Sequence, residues 1–113
     1  MDAKIFKGLL ESLLVPVVFV DNTHVISYMN QAGADRYQKH GGQELLGKSV
    51  FACHKENSNR IIRDVYAKFQ AGEDGIYIYT SSKNEKVFMK AVRGDGGNLL
   101  GYYKRYEAQS IIG

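Results

Sequence analysis

Apolar residues recur at helical spacing in the first segment, at Ile5, Phe6, Leu9, Leu10, Leu13 and Leu14, and Lys4, Lys7 and Glu11 take the other face. This pattern predicts an amphipathic helix over residues 2–14. Pro16 ends it, because the residue before a proline is pushed out of helical geometry. Two runs rich in β-branched and aromatic residues follow, 17–20 and 25–28, and read as half-buried strands. Asp21-Asn22-Thr23 supplies the turn between them, since Asp and Asn bond locally to the backbone. Asn30 suits the N-cap of a further helix, which runs to about His40 and is stopped by Gly41-Gly42.

Residues 43–48 read as one more short helical turn, and 49–54 are apolar except at the ends. The clearest helix covers 56–71, with Asn57 or Ser58 as its cap and Ile61, Ile62, Val65, Tyr66 and Phe69 as its stripe. Gly72 closes it where a left-handed residue commonly ends a helix. The remainder alternates with a period of two. Strands are predicted at 75–81, 85–93 and 99–106, joined by a Lys83-Asn84 turn and the Gly-rich turn 94–98. In the first of these, Tyr77 and Tyr79 are expected to share a face opposite Ile76 and Ile78. Strands segregated from helices indicate an α+β fold with a five-stranded antiparallel sheet. The first and last strand groups must pair across the helices, which then cover one sheet face and leave room for a cavity between the layers.

Composition narrows the function. The 113 residues suffice for one hydrophobic core, and 44% apolar and 24% charged residues are ordinary for a globular protein. A single cysteine, Cys53, excludes an internal disulfide and a multi-thiolate metal site, and fits a reducing, cytoplasmic setting. The net charge of +3 is spread among interleaved acids, which argues against a nucleic-acid footprint. No apolar run approaches the roughly 18–20 residues of a membrane span, and the N-terminal segment lacks the uninterrupted core of a signal peptide. Eight tyrosines and five phenylalanines make the chain aromatic enough to line a cavity.

The motifs PVVFVD (16–21), HVISYMN (24–30), QAGADRY (31–37) and LLGKSV (45–50), then FQAGE (69–73) and a Gly-Asp-Gly-Gly turn before LLGYY (99–103), occur in an order that resembles a PAS domain. The resemblance divides the chain into a helix at 1–15, a PAS domain at 16–107 and a tail at 108–113. The stretch LLGKSVFACH, followed by the helix ending FQAG, further resembles a PAS subgroup with a Cys-His pair at this point. Lys55 stands where many members of that subgroup have proline. The resemblance implies a sensory or interaction module. Such a module has a small-molecule or cofactor pocket between sheet and helices, dimerises through its N-terminal helix, and acts on a signalling protein or an attached output domain. Ile5, Phe6, Leu9, Leu10 and Leu13 are the expected dimer contacts, although the same residues could pack on their own domain.

Expected pocket residues are Tyr28, Tyr37, Phe51, Cys53, His54, Ile62, Tyr77 and Met89. His54 is the one candidate metal ligand, because neutral imidazole is the commonest protein ligand and PAS domains that bind haem b supply an axial histidine from this region. A c-type haem needs two cysteines, and a structural zinc needs four N/S ligands where the chain offers Cys53, His24, His40 and His54 scattered over turns and helix ends. In the flavin-binding light sensors of the family the reactive cysteine stands three residues after the glycine matching Gly47. That position is Val50 here, so a photoadduct is not expected and a non-covalent flavin stays open. No nucleophile elbow, phosphate-cradling loop or Ser/His/Asp pattern is present, so no enzymatic activity is expected. The expected function is a ligand-responsive sensor; the alternative is a protein-interaction module whose core is filled by its own side chains.

Overall fold

The computed structural model describes residues 2–52 and 54–108. Helix α1 (Ala3–Ser12) is capped by Asp2, whose carboxylate accepts from the Ile5 amide at 3.0 Å. It stops two residues short of the predicted end, where Leu13 turns to extended geometry and its amide closes the last turn on the Leu10 carbonyl. The first hairpin is β1 (Val18–Asp21) and β2 (Ile26–Met29). Helix α2 (Gln31–Arg36) is shorter than expected. The chain passes instead through tight 3₁₀ turns at Gln38–His40 and Gly42–Leu45, reversed by a 3.0 Å bond from the Gly42 amide to the Tyr37 carbonyl. A third such turn, Val50–Ala52, leads to the long helix α3 (Glu56–Gln70).

Neither Asn57 nor Ser58 caps α3. The helix starts at Glu56, with Lys55 in the cap position and no side-chain cap bond. Its first turn is fastened by Asn59, buried, which donates to the Phe51 carbonyl at 3.0 Å. The three remaining strands are β3 (Gly75–Thr80), β4 (Glu85–Arg93) and β5 (Leu99–Ala108). Ala108, expected to open the tail, is thus the end of β5, and residues 109–113 lie outside the described residues.

All five strands form one antiparallel sheet in the order β2-β1-β5-β4-β3. The closure predicted across the helices is the β1–β5 pair, with Phe19 opposite Tyr103 and Val20 opposite Tyr102. Gly101 makes that pair possible. A Cβ there, at φ +156°, would stand 2.2 Å from the Val20 carbonyl oxygen and 2.7 Å from the Phe19 ring. The inner face carries Val20, Ile26, Met29, Met89 and Tyr102, covered by Ile62, Val65 and Phe69 of α3. Among the described residues no helix is long and apolar enough to cross a membrane.

Asn30 holds α1, β1 and α2 together. It is fully buried, and its side-chain oxygen accepts from the Gly33 amide at 2.8 Å, the expected cap, and from the Val17 amide at 2.9 Å. Its amide nitrogen donates to the carbonyls of Leu10 and Val15, each at 3.0 Å. Every hydrogen-bonding position that the side chain offers toward these segments is thereby used. The isosteric change Asn30→Asp keeps the acceptors and removes both donors, turning a carboxylate toward two carbonyls. We expect it to lower unfolding stability by roughly 3 kcal/mol or more, read by urea denaturation; a loss under about 1 kcal/mol would show that these bonds do not hold the domain together.

Candidate functional site

Strand alternation on β5 decides what faces the helices. Tyr102, Lys104 and Tyr106 stand opposite Ala91, Met89 and Val87 of β4, and all three line a cavity of about 610 Å³ between sheet and helices. The 3₁₀ turns and the start of α3 close the other side with Tyr37, Leu45, Val50, His54 and Ile62. The volume is within the usual range of small-molecule sites, roughly 300–1,000 Å³. Val20, Ile26, Met29 and Met89 give it an apolar wall.

Polar groups gather along the β5 side. The hydroxyls of Tyr37 and Tyr106 share a hydrogen bond. The Arg36 guanidinium lies 3.8 Å over the Tyr106 ring and pairs with Glu85 at 3.0 Å. Burial pushes both phenols above their ordinary range. His54 donates from Nδ1 to the Val50 carbonyl at 2.7 Å, so when the ring is neutral Nε2 is its acceptor nitrogen. Burial first, and the nearby Lys104 and His40, hold its imidazole below the usual histidine value, although the Val50 contact opposes this. Lys104 is half-buried, 5.9 Å from the Tyr79 ring centroid, and is pulled down by burial and by Arg36.

Of the expected pocket residues, Tyr37, His54, Ile62 and Met89 come together around this cavity. Phe51 packs beside it against the core, its ring 4.8 Å from that of His24 and from the Arg63 guanidinium. Tyr28 and Tyr77 are not brought to it. Tyr28 pairs with Phe19 on the opposite sheet face and donates to Glu11 of α1 at 2.9 Å, and burial beside that carboxylate pushes its phenol up to about 12. Tyr77 is exposed and packs edge-on against Phe88. Cys53 lies outside the described residues.

The predicted parity of β3 also fails, because a bulge between Tyr77 and Tyr79 sets Tyr77 opposite Phe88 but Tyr79 opposite Val87. The two tyrosines therefore part: one packs on Phe88, the other lies beside Lys104. The β5 residues Tyr102, Lys104 and Tyr106 were missed by sequence reasoning, along with apolar wall residues such as Ile26 and Met29. The β5 signal was available in the alternation Tyr102, Lys104, Tyr106, but a Lys-Arg-Tyr-Glu run reads as a solvated strand end.

A second groove, about 660 Å³, runs between α1 and the outer sheet face, lined by Leu10, Leu13, Phe19, Tyr28, Val92 and Tyr103. Glu11 anchors α1 at its edge, accepting from Tyr28 and from the Gln31 amide at 3.2 Å. Ile5, Phe6, Leu9 and Leu13, four of the five expected dimer contacts, remain exposed, while Leu10 turns toward the groove.

Tyr102, which lines the cavity, shares a 2.9 Å hydrogen bond with His24, and the rings of Phe51 and Tyr66 pack on that imidazole. Burial holds His24 below the ordinary 6.5, against the opposing pull of Asp21. Between the folded and unfolded values the unfolded chain therefore binds more protons, so this contribution is complete above pH 6.5 and is lost as pH falls. We expect the thermal midpoint to drop on acidification from about pH 7.5 to 5, and His24→Asn, suited to the φ of +64° at this position, to shallow that slope. An unchanged slope in the variant would exclude His24 as its source.

Residues 6–104 match a family model described as a PAS domain. No curated protein matches the chain. Among solved structures, a C-terminal domain from Streptococcus mutans superposes with a TM-score of 0.76 at 18% identity, over 96% of this chain and 85% of that one. A sensory box sensor histidine kinase from Vibrio cholerae gives 0.62 at 15% identity, over 96% and 92%. The Aer2 receptor from Vibrio cholerae, described as a dual PAS-heme oxygen sensor, gives 0.59 at 17% identity, over 84% and 94%. These likenesses bear on the fold alone. The sheet order, the helices on its inner face and a family match over nearly the whole sequence agree, and the chain belongs to the PAS domain family.

Proposed function

We propose that the domain is a cytoplasmic, non-catalytic sensor module that binds a small molecule in the cavity between sheet and helices and signals as a dimer. The observation that carries this reading is the cavity itself, walled by apolar residues and edged by Tyr37, His54, Lys104 and Tyr106. A few placed polar groups on an apolar wall are what orient a small ligand. The sensor kinase and the oxygen receptor among the structural relatives support a signalling role for such a module.

A ligand can shift the domain only by binding one arrangement better than another. The route to α1 is short. β5 pairs with β1, the amide of Val17 just before β1 is held by Asn30, and Asn30 also holds the end of α1 through Leu10. The exposed face of Ile5, Phe6, Leu9 and Leu13 then offers a self-complementary surface to a second copy. A signalling protein or an attached output domain would receive the change there or at the end of β5.

His54 supports a haem variant of this reading, since its Nδ1 bond to Val50 is the outer-shell contact that orients a metal-bound imidazole. His54 would be the residue holding the iron, with Ile26, Met29 and Ile62 as apolar lining around the group. An absorbance scan of freshly purified protein showing a Soret band would establish that variant. The competing class is an interaction module with no ligand, favoured only by the exposed apolar face of α1.

Native mass spectrometry tests both halves. We expect a dimer carrying a retained small molecule. Filling the cavity by Ile62→Trp should release the ligand and leave the dimer. Leu9→Glu should yield monomers that keep the ligand, with the dimer constant weakened by about tenfold or more. Protein free of ligand, whose Ile62→Trp variant behaves as wild type toward added small molecules, would leave the interaction module as the better account.

A further inference from the structure

We infer that the ligand is an amphipathic organic anion whose charged group pairs with the ammonium of Lys104. The inference deepens the sensor reading and rests on its cavity. Five basic residues line that cavity, His40, Lys48, His54, Lys55 and Lys104, and among the described lining residues there is no Asp or Glu. Lys104 is the innermost by position, on an inward site of β5 opposite Met89, and it is half-buried whereas His40, Lys48 and Lys55 are exposed.

Among the described residues no carboxylate pairs with its charge. The ion pairs among the described residues join Arg36 to Glu85, Arg63 to Glu56, Arg93 to Asp74 and Arg105 to Glu107. Glu85, on the neighbouring strand β4, is already held by Arg36 and by the Ser81 hydroxyl. What Lys104 has is the face of Tyr79, a weak substitute for a carboxylate. A partly desolvated ammonium without a counter-ion is costly, which fits the downward pull on its proton affinity from burial and Arg36.

An incoming anion reverses that cost. It gains a charge-assisted bond in a partly desolvated site, with the Tyr37 and Tyr106 hydroxyls and the His54 ring among the lining groups. The apolar wall of Ile26, Met29 and Ile62 receives the rest of the molecule. A neutral ligand would fill the same wall and leave the ammonium unmatched. The chemistry selects an aromatic or aliphatic acid over its uncharged analogue.

Two probes separate these cases. 8-Anilinonaphthalene-1-sulfonate and N-phenyl-1-naphthylamine share one ring frame and differ by the anionic group. Fluorescence titration of the full chain should show Lys104→Met weakening the sulfonate probe by about tenfold or more while the neutral probe changes by no more than about twofold. Lys104→Arg should restore the sulfonate probe. Ile62→Trp should expel both, placing them in the cavity. In the wild type, raising salt from about 50 to about 500 mM should weaken the sulfonate probe alone, which decides the matter if Lys104→Met does not fold. Equal responses of the two probes to Lys104→Met or to salt would overturn the anion and leave the cavity reading intact. Failure of the wild type to bind either probe would overturn both.

Discussion

The antiparallel pairing of β1 with β5 is the constraint on which the rest of the domain depends. It joins residues 19–21 to residues 101–103, so the chain must close a loop spanning most of its length before this ladder forms. Without it there would be a small hairpin and a separate three-stranded meander, and a lone two-stranded hairpin is at best marginal in water. Gly101 is what the ladder requires, because the β1 carbonyl of Val20 and the Phe19 ring occupy the space any side chain would take. The pairing also makes β5 the central strand. Its inward residues therefore lie at the middle of the sheet, under the helices, where polar side chains such as Lys104 and Tyr106 are half-buried.

Much of this was legible in the chain because it is local. The period-two alternation of residues 85–93 and the 3.6-residue stripe of α3 are written in neighbouring positions, and both elements formed close to where the pattern places them. Asn30 was legible as a cap, through its bond to Gly33, because a cap is a contact three residues long. Its bonds to Leu10, Val15 and Val17 were not, because they depend on how α1 and β1 come to rest beside it. The bulge in β3 was hidden for a similar reason: Ile76 to Tyr79 alternates cleanly, and only pairing with β4 reveals the extra residue. Lys104 was hidden by its charge. Sequence reasoning assigns lysine to solvent, and this one is inward because its strand alternates and is central.

The two layers around the cavity are not held equally. The sheet is tied by its ladders, and α2 is joined to it by Asn30 and by the Arg36–Glu85 pair. On the helix side, the C-terminal end of α3 is fixed to β4, where Arg93 donates to the Phe69 carbonyl at 2.7 Å and to Glu73 at 2.9 Å. Tyr66 adds a bond to Asn22 at 3.0 Å. The opposite end, at Lys55 and Glu56, begins without a side-chain cap and is joined to the preceding turn through Asn59. That is the end bordering His54 and the cavity. A ligand paired with Lys104 would therefore be anchored to the rigid layer and would act on the less restrained one, while any response of the sheet itself passes through β1 to α1. On the proposed sensor reading, the positions of the two sets of bonds, more than the size of the cavity, would give the domain a direction in which binding is converted into movement.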